Sequence, residues 1–361
     1  MTAYIVDSTA LRENARRLQA AMSGAVCWAV VKGDGYGLGI EALVSLLLEE
    51  QFTHFAVTEP AEAEVIRALS ATAEILMLRP CCEIPVLERL LAAGAICTVS
   101  SPDDAMVLSA VAGSMQCTAR VHCKVDTGMG RYGFRPEELP RLAQVFQTPQ
   151  LQVEGVYTHF HSAFCNEKVT RRQFVLFQEV LSGLRAAGVD PGMCHCCNSS
   201  AALRWPEMRM DAVRLGSALL GRLNHPDGLG LQKIGWCEAT VDELHTLRRG
   251  ESTGYGAGWR ARRDTQLVIL PVGYFHGFAA EKGRDLFRLR DCLRGACSLL
   301  LAALRRKQLT VRIDGKVYPV RGHVGMLHTA VDVTGANILP GAVARLEVNP
   351  LLQKDMPIVF R

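Results

Sequence analysis

No apolar run in this 361-residue chain approaches the roughly 20 residues needed to cross a bilayer. No charged, then apolar, then small-residue leader opens it either. Both absences lead to the expectation of a cytoplasmic protein with no membrane partner. The net charge of +4 is slight, and without a basic stripe interleaved with aromatics it calls for no nucleic acid. Charged residues make up only 21% against 49% hydrophobic, so a sizeable core is available and wholesale disorder is excluded. An even set of cysteines is also missing. The thirteen present fall mostly inside apolar segments, as at Cys27, Cys97, Cys117 and Cys123, which suits reduced, buried thiols better than a disulfide framework. Cys194-His195-Cys196-Cys197 is the one cluster with metal-ligating residue types. Neighbours on a strand point to opposite faces, and no second ligand pair stands at a finger-like spacing, so no metal is expected.

What the chain has is alternation. Ala3 to Val6 reads as a short strand, and Asp7-Ser8 can cap a helix running to about Ala21. Strand-like runs follow at Val26 to Val31, Phe55 to Val57, Ile75 to Leu78, Ile96 to Val99, Ala119 to Val125, Val153 to Tyr157, Met193 to Cys197 and Val213 to Leu215. Helix-like segments lie between most of them: Pro60 to Leu69, Pro85 to Ala93, Asp103 to Ala112, Pro136 to Phe146 and Val169 to Ala187. Eight strands alternating with helices predict an α/β fold, a (β/α)8 TIM-like barrel, whose reactive groups sit where the strands end.

Those strand ends give a short list. The first carries Lys32, where an apolar run stops at a lysine before the glycine-rich turn Gly33-Asp34-Gly35-Tyr36-Gly37. A partly desolvated lysine there is a candidate Schiff-base former, although an exposed lysine before a turn accounts for the stretch equally well on its own. Later strand ends carry Lys124, Asp126 and Arg131, then His159 and His161, then Asn198 and Ser199, then Arg214 and Gly216. Convergence on one barrel mouth favours a site over a set of unrelated loop residues.

After Gly221 the character changes. Arg222 to Gly235 reads as a linker. From Trp236 the runs Glu238 to Thr246, Thr265 to Pro271, Thr310 to Ile313, Lys316 to Val320, Val331 to Val333 and Ala342 to Val348 predict a mainly antiparallel β-domain. The domain boundaries are 8–225 for the barrel and 236–361 for the β-domain, with the strand in 1–7 joining the latter. Asp285 to Lys307 is apolar and basic at helical spacing, with Leu286, Leu289 and Leu293 on one side and Arg288, Arg290 and Arg294 beyond. It is read as a packed surface helix, or else as an interface or lid element.

Seven stretches in order now resemble alanine racemase, a pyridoxal-phosphate enzyme family built on a barrel followed by a β-domain. They are Ala29-Val30-Val31-Lys32-Gly33-Asp34-Gly35-Tyr36-Gly37, Lys124-Val125-Asp126-Thr127-Gly128-Met129-Gly130-Arg131, Tyr157-Thr158-His159-Phe160, Asn198-Ser199-Ser200-Ala201-Ala202-Leu203, Val213-Arg214-Leu215-Gly216, Gly254-Tyr255-Gly256 and Pro271-Val272-Gly273-Tyr274. The resemblance covers nearly the whole chain. It implies an amino-acid racemase, with alanine the first expectation as substrate and serine or another small amino acid the alternative. Lys32 is implied as cofactor anchor and one acid–base group, and Tyr255 as the other, contributed by a second subunit of a homodimer. Tyr36, Ser199, Gly216 and Ser217 are implied around the phosphate, Arg214 at the pyridine nitrogen with His195 steadying it, and His159, Asn198 and Tyr274 as further cofactor contacts. Arg131 and Met326 are implied at the substrate, with His159 polarising Tyr255 and Lys124, carbamylated, orienting Arg131.

The departures concern the entrance. Met326 is followed by Leu327 where the family has a carboxylate, and His323 replaces an arginine. No tyrosine follows Tyr318, so the family's late phosphate-contacting tyrosine has no counterpart. Phe275-His276-Gly277 replaces the usual Asp-Gly, and the stretch from Tyr274 to Met326 is longer than in compact relatives. A decarboxylase of the same architecture would present a carboxylate to the pyridine nitrogen, which Arg214 opposes. Non-catalytic cofactor-binding relatives resemble the barrel alone, which the β-domain with Tyr255 opposes, although the lost entrance carboxylate keeps a catalytically degenerate pyridoxal-phosphate-binding homologue as an alternative.

Overall fold

The structure is a computed structural model that describes residues 2–223, 228–281, 283, 289–304 and 308–361. The chain divides into two compact units, residues 7–234 and residues 1–6 with 235–361.

The short strand β1 (Thr2–Val6) precedes a helix, Ser8–Ala21, which is capped by the Asp7 carboxylate accepting the Ala10 N–H at 2.9 Å. Eight parallel strands then follow: β2 (Val26–Val30), β3 (His54–Val57), β4 (Glu74–Met77), β5 (Cys97–Val99), β6 (Ala119–Lys124), β7 (Leu151–Tyr157), β8 (Met193–Asn198) and β9 (Ala212–Leu215). Pairing runs β4-β3-β2-β9-β8-β7-β6-β5. A parallel bridge between Leu76 and Ile96, with Ile96 N–H donating to Ile75 O at 2.7 Å, draws the two edges together. This is the TIM-like barrel that the alternation of strands and helices predicts.

Its interior is unusually polar. Aliphatic groups from β2, β3, β4 and β9 form one cluster around Trp28, Ala56, Leu76 and Ala212. Across from them stand His122, His195, Tyr157 and Arg214, all buried. The Tyr157 and His195 rings stack with centroids 4.9 Å apart, and His122 approaches the His195 ring at 5.1 Å. Gly155 makes room for this arrangement, because a Cβ there would lie 2.8 Å from His122 Nε2. A guanidinium only donates, so the 2.6 Å contact from Arg214 Nη1 makes His195 Nδ1 an acceptor. His195 Nε2 then carries the proton and donates to His122 Nδ1 at 2.9 Å. The chain of donors has one direction and requires both rings to be neutral.

In the second unit, β10 (Gly235–Thr240), β11 (Glu243–Leu247), β12 (Ser252–Thr253), β13 (Trp259–Arg260), β14 (Thr265–Leu270), β15 (Thr310–Ile313), β16 (Lys316–Arg321), β17 (Thr329–Asp332), β18 (Val343–Leu346) and β19 (Ile358–Phe360) are mainly antiparallel. A nine-stranded sheet runs β11-β14-β17-β16-β15-β18-β10-β1-β19, with only β1 and β19 parallel. The expected single strand Glu238 to Thr246 is two strands that belong to distant positions in this sheet, with the break at Val241-Asp242.

Two expectations change. The described part of Arg222 to Gly235 is not a loose linker. The buried Asn14 donates to Leu219 O and Gln232 O and accepts from Gln232 N–H, while Arg17 donates to Leu229 O and Gly230 O. In Asp285 to Lys307 the described helix, Leu289–Leu304, leaves its leucines in solvent instead of packing them. Leu286 and Arg288 lie outside the described residues.

Burial pushes His122 down to about 3 from an ordinary 6.5. The unfolded chain therefore binds the proton that the fold refuses between those two values, and stability falls as pH drops from 6.5 toward 3. Urea titrations across this range are expected to give a shallower decline for His122→Gln than for the parent. Equal slopes would remove His122 from the account.

Candidate active site

The first site residue is positioned by an uncommon piece of backbone. Directly after β2, Gly33, Asp34, Gly35 and Tyr36 all have positive φ, between 52° and 67°, and form a left-handed turn. Side chains resist this conformation by roughly 1–2 kcal/mol per residue, which glycine avoids at 33 and 35. The turn is fastened by the buried Glu62, whose carboxylate accepts the N–H groups of Asp34, Thr58 and Glu59 at 3.0, 2.9 and 3.1 Å. Asp34 Oδ1 accepts the Ile40 N–H at 2.9 Å and starts the next helix. The turn leaves Lys32 and Tyr36 facing one cavity at the C-terminal mouth of the barrel.

That cavity measures about 580 Å³, within the range of small-ligand sites. Lys32, Arg79, Lys124, Arg131, Arg214 and Arg222 line it, and no aspartate or glutamate is among the described residues that do. Arg79 is paired outside the cavity with Glu59 at 2.9 Å, and the cationic lining as a whole favours an anionic ligand. Arg214 is held from several sides: Nη2 donates to Thr158 O at 2.6 Å and to Cys196 O at 3.2 Å, and its guanidinium lies 5.2 Å from the Tyr157 ring centre.

This crowding sets the protonation of its neighbours. Burial first, then the charge of Arg131, holds Lys32 below the ordinary lysine range, with Arg214 adding to the effect and Glu62 opposing it. Lys124 is pushed down to about 8 by burial, then Arg131 and Arg214. His159, with Nδ1 3.4 Å from Arg214 Nη2, is driven well below 6.5 by burial and by Arg214. It is therefore a neutral imidazole near pH 7. Any help it gives a tyrosine is by hydrogen bonding and not as a cation.

In the same cavity, Ser199 Oγ accepts the N–H groups of Gly216 and Ala218 at 3.0 and 3.3 Å. A Cβ on Gly216 would stand 2.1 Å from the Tyr36 hydroxyl, so only glycine lets that hydroxyl reach this corner. Two side-chain hydroxyls beside close-approaching backbone, in one cavity with a lysine of lowered basicity, fit a ligand that carries both a phosphate and a carbonyl. Asn198 and Ser217 also line the cavity. The Asn198 amide is committed to structure, capping Ser199–Arg204 through Ala201 N–H and donating to Phe160 O.

Tyr255, Met326 and Tyr274 belong to the other unit. Tyr255 is 78% exposed and shares a cavity of about 510 Å³ with His323, Met326 and Leu327. Tyr274 is exposed in a short 3-10 turn, Tyr274–His276, whose N–H donates to Gly325 O at 3.1 Å.

Three lining or supporting residues were not anticipated. His122 stands two residues before Lys124 on β6, so strand alternation alone puts both on one face. Arg79 follows β4 at a strand end of the kind that yielded the other candidates. Arg222 fell inside the apparent linker.

A profile of the alanine racemase N-terminal domain matches residues 6–224, and one of the C-terminal domain matches residues 236–349. The alanine racemase of Desulfovibrio desulfuricans is 30% identical over 370 residues, which cover 98% of this chain and 96% of that protein. The alanine racemase of Desulforamulus reducens is 32% identical over 294 residues, covering 78% and 79%. Among solved structures, an alanine racemase of Clostridium difficile 630 superposes with a TM-score of 0.84 at 23% identity, over 100% of this chain and 95% of that one. The enzyme from a Streptomyces lavendulae that produces D-cycloserine gives 0.83 at 24%, over 100% and 97%. These two likenesses speak to the fold. With both family profiles matched and relatives aligned across nearly its whole length, the chain belongs to the alanine racemase family of isomerases.

Proposed function

We propose that this protein interconverts L- and D-alanine with pyridoxal 5'-phosphate as cofactor, using Lys32 and Tyr255 as acid–base groups on opposite faces of the substrate. The observation that carries this reading is a cationic cavity, with no carboxylate among the described residues that line it, which Lys32 shares with the Ser199, Tyr36 and Gly216 corner. Lys32 would anchor the cofactor, and Tyr36, Ser199, Gly216 and Ser217 would surround its phosphate, with His159, Tyr274 and the second amide hydrogen of Asn198 adding contacts. Arg214, steadied by His195, would face the ring nitrogen. The bound cofactor supplies the electron sink that acidifies the α-proton of the amino acid joined to it.

The chain's own residues then manage the proton. An amine can accept a proton only when neutral, and the lowered basicity of Lys32 makes that form accessible near pH 7. Tyr255 would deliver a proton to the other face. Its location in the unit outside the barrel supports a homodimer in which each Tyr255 serves the partner's barrel. Arg214 carries a permanent charge and cannot give up a proton. Facing the ring nitrogen it would donate a hydrogen bond without transferring a proton, which would restrain the sink the cofactor supplies. Arg131 would hold the substrate carboxylate, with Met326 at the entrance. The cysteines are all unpaired thiols, which supports a cytoplasmic enzyme, where D-alanine is a cell-wall precursor.

Purified with its cofactor, the protein is expected to show the visible absorbance of a lysine-bound cofactor and to racemise alanine faster than serine in a chiral assay. Lys32→Ala should lose the band and the activity together. A band that survives the substitution would refute the anchor, and preference for serine would refute the substrate.

Lys124 beside Arg131 is a like-charge pair while it remains an ammonium. Its lowered pKa supports uptake of carbon dioxide by the neutral amine, which loses a proton and becomes a carbamate anion able to pair with Arg131. With labelled bicarbonate, a carbamate carbon resonance should grow as pH rises through about 8 and be missing from Lys124→Gln. Absence of the signal at every pH would exclude the modification.

A further inference from the structure

The helix Leu289–Leu304 is turned the wrong way round for a surface helix. At 3.6 residues per turn, Leu289, Leu293, Leu300 and Leu304 form one stripe within about 60° of arc. Their exposures are 78%, 58%, 64% and 79%. The partly covered residues are Asp291, Gly295 and Ala302, which lie on the opposite side. The helix thus turns small and polar residues inward and presents its leucines to solvent.

Charge identifies what can cover them. The sequence from Lys282 to Lys307 contains eight lysines and arginines against two aspartates. That excess is larger than the net +4 of the entire chain, so the remainder of the protein is net acidic and the positive balance is concentrated here. Two copies pairing through this stripe would bring like charges together. An apolar stripe about 24 Å long, on a helix that carries Arg290 and Arg294 within a cation-rich stretch of sequence, is instead complementary to the boundary between acyl chains and anionic headgroups.

We propose that Leu289–Leu304 is an interfacial helix that docks the enzyme on an anionic phospholipid surface. The helix lies on the bilayer and does not cross it, since among the described residues no helix is long and apolar enough to span. The expectation of no membrane partner rested on the lack of a 20-residue apolar run, a criterion that addresses spanning and is silent on a helix lying in the plane of the headgroups. The racemase cavity is formed by other elements, so docking would localise the enzyme without altering its chemistry.

The test is cosedimentation of the full-length holoenzyme with vesicles of phosphatidylcholine alone or mixed with phosphatidylglycerol. Binding is expected to the mixed vesicles only and to weaken with added salt. Leu293→Glu with Leu300→Glu, and separately Arg290→Glu with Arg294→Glu, should each lower it by about tenfold or more while racemase activity is retained, which certifies the fold. Equal sedimentation with both vesicle types, or unchanged binding by the leucine variant, would overturn the proposal. So would a leucine variant that alters self-association in ultracentrifugation while the parent ignores lipid, because the stripe would then belong to a second copy.

Discussion

A guanidinium with no carboxylate partner sits in the interior of the barrel, and most of the site's chemistry depends on how it is held. Among the described residues Arg214 is met only by carbonyl oxygens, the imidazole nitrogens of His195 and His159 and the face of Tyr157. An unpaired buried charge is expensive, and the fold meets that cost with several oriented dipoles. The same charge then acts outward. It helps keep His195, His122 and His159 neutral and contributes to the lowered basicity of Lys32 and Lys124. A carboxylate at position 214 would reverse each of these influences at once.

Local geometry completes what the charge begins. The left-handed turn at Gly33 to Tyr36 aims a lysine and a tyrosine into one cavity from adjacent backbone, and Gly216 leaves the space that the tyrosine hydroxyl occupies. Glu62 ties that turn to the following helices without lining the cavity. The result is a cationic pocket whose acidic support is kept behind the wall. Hydrogen bonds of this kind help hold a proton-transferring amine in the geometry the chemistry needs.

Much of this was legible in the residues. The barrel could be read from strand and helix alternation, and Lys32, Lys124, Arg131 and Arg214 from their places at strand ends. The helix Pro60–Leu69 begins and ends where its proline and apolar spacing predict. Other features were not local enough to be read. The break at Val241-Asp242 depends on two segments pairing with strands that are remote in sequence. The hold of Asn14 on Leu219 and Gln232 joins residues about two hundred positions apart. His159 was expected beside Tyr255 as a polarising partner. Its neutrality emerges only when burial and the nearby arginine are known. The outward face of Leu289–Leu304 likewise has the periodicity of a packed helix, and periodicity does not say which side meets the protein.

The central claim is that one proton-transferring group comes from the barrel of one subunit and the other from the β-domain of its partner. Mixing Lys32→Ala and Tyr255→Phe proteins, each inactive alone, under conditions where subunits exchange, tests it most directly. Half of the possible sites in a heterodimer would be intact, so equal mixing should restore about a quarter of the parent's racemisation rate. Heterodimers that form and stay inactive would contradict the account.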